Sequence, residues 1–197
     1  MFGGDVAKLG EDLQILKPNI LISVPRLYNR FYATIQAQIK NVPVSERNLI
    51  EQAIQEKLKH LRETGQYKLP KWDNLVFHKL NKMFGGNIKA MWTGSAPTDP
   101  KVIDFLQIVF GCPLMESYGQ TEGTGTQWSQ WAGDPASGTV GGINHHLEWK
   151  LIDIPEMNYT SKDKDSKGRS APRGEIVFRG NSVFAGYYKN DSKTKEA

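Results

Sequence analysis

Two short apolar runs, each closing on a turn of small residues and separated by one helix-patterned segment, constrain this chain more than any other feature. The first is Ile88-Lys89-Ala90-Met91, followed by Trp92-Thr93-Gly94-Ser95-Ala96-Pro97-Thr98. The second is Cys112-Pro113-Leu114-Met115, followed after Glu116 by Ser117-Tyr118-Gly119-Gln120-Thr121-Glu122. Pro100–Phe110 lies between them with helical spacing of its apolar residues. Strand, turn, helix, strand, turn is the repeating unit of a parallel sheet, with a right-handed crossover expected. It puts both turns at one sheet edge, outside the carboxyl ends of the strands, where open α/β sheets bind ligands. The second turn offers an aromatic face in Tyr118, close backbone approach at Gly119, a hydroxyl in Thr121 and a carboxylate in Glu122. Those groups suit a nucleotide with a hard, oxygen-preferring Mg²⁺ ion.

The rest of the chain reads as helices and strands in alternation, then strands alone. Residues 10–18 form a short helix. Ile20-Leu21-Ile22-Ser23-Val24 is a continuous apolar run stopped by Pro25, which reads as a buried strand. Tyr28, Phe31, Tyr32, Ile35 and Ile39 predict an amphipathic helix over 27–40. Pro43-Val44-Ser45 is a start signal with Ser45 as N-cap. Leu49, Ile50, Ala53, Ile54, Leu58 and Leu61 make one face of the next helix, running to about Arg62. After a connector over 65–70, residues 74–83 form another helix, stopped by Gly85-Gly86. Residues 123–142 read as loop with strand fragments. Strands are predicted at 147–152 and 174–178, with a hairpin-like polar excursion over 160–173 between them. The fold class is α/β, a parallel sheet with helices leading into a β-rich subdomain.

Composition narrows the function classes. With 197 residues, 39% hydrophobic and 23% charged, the chain can bury a real core. No apolar run reaches bilayer-spanning length, and no basic-then-apolar leader is read at Met1. The lone Cys112 rules out an internal disulfide, suits a reducing compartment and reads as a small buried residue beside a strand. Net charge is only +4, and the densest basic cluster, residues 162–173, is diluted by Asp163 and Asp165. With no aromatic residues among those charges, it reads as a solvated loop and not as a nucleic-acid surface.

Thr93-Gly94-Ser95-Ala96-Pro97-Thr98 with Tyr118-Gly119-Gln120-Thr121-Glu122 resembles the adenylate-forming, AMP-binding enzymes, which activate carboxylates with ATP. More narrowly, the chain is similar to the eukaryotic long-chain acyl-CoA synthetases. The likeness includes residues 24–30, Gly133-Asp134, residues 137–141, Lys150-Leu151-Ile152-Asp153, residues 156–159, residues 174–180 and Val183-Phe184-Ala185-Gly186-Tyr187. The resemblance implies part of the large N-terminal domain of such an enzyme, acting as a long-chain fatty-acid–CoA ligase. The implied substrates are long-chain fatty acid, ATP and CoA, with Mg²⁺ as the metal. Its location would be cytoplasm-facing, with peripheral association with the endoplasmic reticulum, mitochondrial outer membrane or peroxisome left open. Residues 1–197 are expected to be a partial AMP-binding domain. The family's phosphate loop, its later Thr-Gly-Asp ribose element and the C-terminal domain bearing the adenylation lysine have no counterpart here. The alternatives are another adenylating ligase for aryl or short-chain acids, and an inactive nucleotide- or acyl-binding fragment.

By resemblance, Gly94, Ser95, Ala96 and Pro97 form one wall of the adenine pocket. Tyr118 stacks on the other side, with Glu116, Ser117, Gly119 and Gln120 lining it. Thr121 bonds a phosphate oxygen and Glu122 holds Mg²⁺, making these two the catalytic pair. Residues 138–141 resemble a segment bordering the acyl tunnel. Ser117 departs from the glycine more usual before Tyr-Gly. Taken singly, each residue has an ordinary structural role: glycines permitting turns, Tyr118 as a core aromatic, Thr121-Glu122 as a helix start. The ordered pairing of the two loops favours the site. His145-His146 are poor joint metal ligands, since neighbours on a strand face opposite ways. Arg26 and Arg30 read as surface residues. Trp128 and Trp131 read either as acyl-site lining or as packing under the loop.

Overall fold

The computed structural model describes residues 4, 5, 8–134 and 136–197. The leader reading at Met1 lies outside them. The chain divides into two compact units, Met1–Tyr118 with Trp128–Gly142, and Gly119–Gln127 with Ile143–Ala197.

The first unit is a sheet with helices. Strands β1 (Ile20–Ser23), β2 (Ala90–Thr93) and β3 (Leu114–Tyr118) are parallel, in spatial order β1-β2-β3. The short β4 (Trp128–Ser129) pairs antiparallel with β3, and β5 (Gly142–Ile143) straddles the division between units. Helix α1 (Leu9–Leu16) precedes β1; α2 (Pro25–Asn41) and α3 (Val44–Thr64) follow it. The short α4 (Pro70–Trp72) runs through a π turn (Asp73–Phe77) into α5 (His78–Lys82), and α6 (Pro100–Phe110) crosses over from β2 to β3. The apolar face of α2 is the one its spacing predicts: Tyr28, Phe31, Ile35 and Ile39 are buried. Helix α6 buries nearly its whole length, from Val102 to Phe110, as a crossover against both sheet and helices should. Its start is set by Asp99, whose carboxylate accepts the Lys101 N–H at 2.8 Å, with Pro100 at the first helical position. Its end is set by Gly111 in the left-handed region.

Three local readings are corrected. The Ile20–Ser23 strand is not buried, for Ile22 is 76% exposed and Ile20 and Val24 are exposed too. β1 is the outer strand of this sheet, and among the described residues nothing covers one of its faces. Helix α3 starts at Val44 with Pro43 at the cap position, so Ser45 falls inside the first turn and not at the N-cap. The helix read from 74 begins at Pro70, because the apolar period absorbs one extra residue at the π turn.

Lys57 was missed. It is 1% exposed and completes the buried face of α3 with Ile50, Ala53 and Leu61. Its ammonium donates to the Asp73 carboxylate and the Ile108 carbonyl, and lies 4.6 Å from the Phe77 ring centroid. Burial pulls its pKa down, against the opposing pull of Asp73. Cys112 is buried as read, and burial pushes its thiol up to about 12, so it is no reactive thiolate. The Tyr28 hydroxyl reaches the carbonyls of Leu21 at 2.9 Å and Trp92 at 3.0 Å, fastening α2 beneath the β1–β2 pair.

The second unit is β-rich. Strands β6 (Leu147–Ile152) and β7 (Glu175–Gly180) form an antiparallel pair, and the polar segment between them folds back on itself at the Lys164–Ser170 bridge. Arg173 pairs with Asp163, and Arg169 with Asp165, so both arginines of the basic cluster are paired within it, in keeping with a solvated loop. Helix α7 (Asp191–Glu196) ends the chain, capped by Asn190. Among the described residues, no helix is long and apolar enough to cross a membrane.

Candidate functional site

In the first unit, the parallel pairing of β2 with β3 puts the carboxyl ends of these two strands at one sheet edge. The register Thr93 to Glu116 leaves Gly94 directly beside Ser117. A Cβ on Gly94 would lie 3.1 Å from the Ser117 carbonyl oxygen, so a side chain there crowds the next strand. Ser95 takes a left-handed backbone, with φ of +73°, which turns the loop sharply outward. Ser95, Ala96 and Pro97 are exposed, while Thr98 returns to the interior and meets the Thr93 hydroxyl at 3.1 Å. Tyr118 is half-buried, its ring edge-on to buried Trp128 at 5.6 Å between centroids. Ser117 meets Ser129 on β4, hydroxyl to hydroxyl at 3.3 Å. Trp128 is therefore packing for Tyr118, whereas Trp131 stands 69% exposed. Arg26 and Arg30 are exposed on α2.

Glu116 is 5% exposed, and its carboxylate accepts the Thr98 N–H at 3.2 Å and the Gly138 N–H at 3.0 Å. Gly141, in the segment read as bordering the acyl tunnel, packs so closely on β4 that a Cβ would meet the Ser129 carbonyl at 2.4 Å.

In the second unit, Gly119 and Gln120 lead into a single 3-10 turn at Thr121–Gly123. Gly119 is demanded by its own loop, since a Cβ would lie 2.0 Å from the Gly125 carbonyl oxygen. The loop is braced by Gln127, a fully buried side chain that sequence reasoning passed over. Its oxygen accepts the Gln120 N–H at 2.7 Å, and its amide donates to Gly125 at 3.1 Å. An uncharged amide can do both at once, where a carboxylate could only accept. Thr121 is exposed and Glu122 half-buried. The Tyr187 hydroxyl donates to one Glu122 oxygen, and the Phe184 N–H bonds the Glu122 carbonyl at 2.8 Å. That hydrogen bond holds the Glu122 carboxyl below its usual range and raises the Tyr187 phenol. His145 and His146 lie in a turn, edge to face at 5.8 Å.

The AMP-binding enzyme family matches residues 4–188. The chain belongs to this family. Among its relatives, long chain acyl-CoA synthetase 7, peroxisomal, of Arabidopsis thaliana is 44% identical over 99% of the chain and 27% of its own length. Long-chain-fatty-acid–CoA ligase 1 of Homo sapiens is 36% identical over 100% of the chain and 27% of its own length. The chain thus spans about a quarter of the length of the curated relatives it matches. In solved structures, the fold matches the adenylation domain of a carboxylate reductase from Mycobacterium chelonae, with TM-score 0.71, 24% identity and coverage of 100% of this chain and 25% of that one. It also matches the A domain of a Segniliparus rugosus carboxylic acid reductase in complex with AMP and a co-purified carboxylic acid. There the TM-score is 0.63 and the identity 25%, over 100% of this chain and 26% of that one. The α/β fold is that of the N-terminal domain of adenylate-forming enzymes.

For a family of nucleotide enzymes, the fit of Mg²⁺ to these residues is a direct question. Among the described residues no group of three or more His, Cys, Asp or Glu side chains is placed to hold a metal. A single carboxylate is nevertheless the donor set Mg²⁺ takes when substrate phosphates and water supply its other ligands. Glu122 fits on that basis, because Tyr187 engages one of its two oxygens. Tyr187→Phe is therefore expected to raise the pH at which the Glu122 carboxyl titrates, since a hydrogen bond to the charged form is lost. Carbon-detected NMR of the Glu122 side chain against pH measures this, and an unshifted midpoint would mean that the phenol does not set the carboxylate.

Proposed function

We propose that this chain is the part of a long-chain fatty-acid–CoA ligase that holds portions of the adenine wall and of the phosphate–metal end of the ATP site. The observation that carries the reading is identity of 36–44% over essentially the whole chain to proteins named as long-chain acyl-CoA synthetases and ligases. In the reaction, a fatty carboxylate attacks the α-phosphate of ATP and expels pyrophosphate, and the CoA thiol then displaces AMP from the acyl-adenylate. In the first unit, Gly94, Ser95, Ala96 and Pro97 present backbone to one face of the base and Tyr118 presents its ring to the other. Glu116 and Ser117 belong to the same wall, and residues 138–141 border the acyl chain. In the second unit, Gly119 and Gln120 shape the loop, the Thr121 hydroxyl donates to a phosphate oxygen, and Glu122 is the metal carboxylate. Bound Mg²⁺ would supply neutralisation of the negative charge that gathers on the phosphates. Exposed Ser95, Ala96 and Thr121 leave these groups open to a ligand. For location we propose a cytoplasm-facing, peripherally attached enzyme.

The test exchanges the corresponding stretch of the Arabidopsis relative for these residues and follows palmitoyl-CoA formation from palmitate, ATP, Mg²⁺ and CoA. Retained turnover is expected. A folded but inert exchange protein would favour a binding module, and turnover with benzoate or acetate in place of palmitate would favour a different adenylating ligase. The 197-residue chain alone, at 27% of that relative's length, is expected to make no thioester above a boiled control.

A further inference from the structure

Glu116 is a buried carboxylate, and among the described residues it enters no ion pair. Its two oxygens are each taken by a backbone N–H, one from Thr98 at 3.2 Å and one from Gly138 at 3.0 Å. Thr98 closes the loop that begins at Gly94, and Gly138 opens the segment 138–141. Burying a carboxylate is costly unless its lone pairs are satisfied, and here a neutral isostere cannot take its place. Gln at this position would turn an NH₂ toward one of the two N–H donors and leave that donor unsatisfied.

The surrounding bonds keep the carboxylate in place. Gln130 accepts the Glu116 N–H at 2.7 Å and donates its own N–H to the Glu116 carbonyl at 3.0 Å. The Gln130 amide also donates to the Ala136 carbonyl, and Ser137 donates to Asp104 at 2.6 Å. Gly138 has φ of +83°, and a Cβ on it would lie 3.0 Å from Pro100, so this segment lies against the start of α6.

We propose that Glu116 is a positioning residue whose carboxylate staples the loop after β2 to the segment 138–141, so that the adenine wall and the acyl border are set as one piece. This rests on the ligase reading for its consequence, and on geometry alone for the staple. Glu116 then acts through the two loops and touches neither base nor acyl chain with its carboxylate.

Amide hydrogen exchange in the 197-residue chain tests the staple, comparing Glu116→Gln and Glu116→Asp with the unsubstituted protein. The Met91 N–H, bonded to the Pro113 carbonyl at 2.9 Å inside the sheet, serves as internal reference. In Glu116→Gln, exchange at whichever of the Thr98 and Gly138 amides the new NH₂ faces is expected to speed up about tenfold or more relative to Met91, the loss associated with one hydrogen bond to a charged group. Equal acceleration at all three amides, or acceleration at neither Thr98 nor Gly138, overturns the proposal. Should the Gln variant not fold, the Asp variant keeps the charge but is one methylene too short to reach both donors, and is read the same way. In the Arabidopsis exchange protein, Glu116→Gln is expected to raise KM for both ATP and palmitate, with kcat less affected. A lowered Tm with both KM values unchanged overturns the positioning role. If the unsubstituted exchange protein is inert, the ligase reading fails and the exchange measurement alone decides the staple.

Discussion

Glu122→Ala, made in the exchange protein, is expected to slow pyrophosphate release by about a hundredfold or more while leaving the fold intact. The magnitude is that of removing one preorganised electrostatic contact to charge that develops in the transition state. The carboxylate is positioned on three sides by its own unit. The backbone carbonyl of Glu122 is tied to Phe184, its side chain to Tyr187, and its loop to buried Gln127. None of these supports depends on the carboxylate charge except the Tyr187 bond, so truncation removes the carboxylate proposed to hold Mg²⁺ and little else. Thr121→Ala should act in the same direction, because an exposed hydroxyl serves no packing role there. Glu122→Gln separates charge from shape: a neutral amide still accepts from Tyr187 but binds Mg²⁺ poorly. Pyrophosphate release unchanged in Glu122→Ala and Thr121→Ala would make the pair an ordinary turn start.

The Glu122 environment shows where sequence reading succeeds and where it stops. The order along the sheet was legible, because the spacing from Ile88 to Tyr118 encodes strand, loop, crossover helix and strand, and a parallel crossover puts both strands' carboxyl ends at one edge. The buried face of α2 was legible for the same reason, periodicity acting over several turns. Long-range polar partners were not. Glu122 with Tyr187, Glu116 with Gly138, and Lys57 with Asp73 are set by chain paths that no local period records. A signal existed for Lys57, which falls four residues after Ala53 and four before Leu61 on the apolar face, but a helix pattern counted only in apolar residues skips it. Gln127 had a weaker one, a polar side chain placed immediately before a buried Trp128. The buried reading of Ile20–Val24 failed for a different reason. Continuous apolar strands report burial on both faces only when the sheet is covered on both sides, and β1 is the outer strand of this sheet.

Asp73→Ala should destabilise the first unit by about 3 kcal/mol, the low end of the cost of breaking a buried ion pair, since Lys57 is buried while the Asp73 side chain is 26% exposed. Lys57 is enclosed between α3, the π turn and α6, with Asp73, the Ile108 carbonyl and the Phe77 ring as its surroundings. The extra residue of the π turn carries Asp73 to this point, where its second oxygen also accepts the Leu69 N–H at 2.8 Å. Without Asp73 the ammonium keeps one carbonyl and one ring, too little to offset desolvation. Burial already sets the folded pKa of Lys57 below its unfolded value. Between those two values the unfolded chain binds more protons, so stability should rise with pH across that alkaline window. Asp73→Ala removes the opposing pull, lowers the folded pKa further and widens the window downward. The double substitution Lys57→Met with Asp73→Leu should recover most of the lost stability, since apolar packing replaces a buried pair at little net cost. Urea unfolding of the unsubstituted chain, Asp73→Ala and the double variant measures both effects, with a loss under about 1 kcal/mol in Asp73→Ala meaning that solvent, not Asp73, balances the charge. Because Ile108 sits on α6, the crossover between β2 and β3, the pair also anchors the helix that links these two strands.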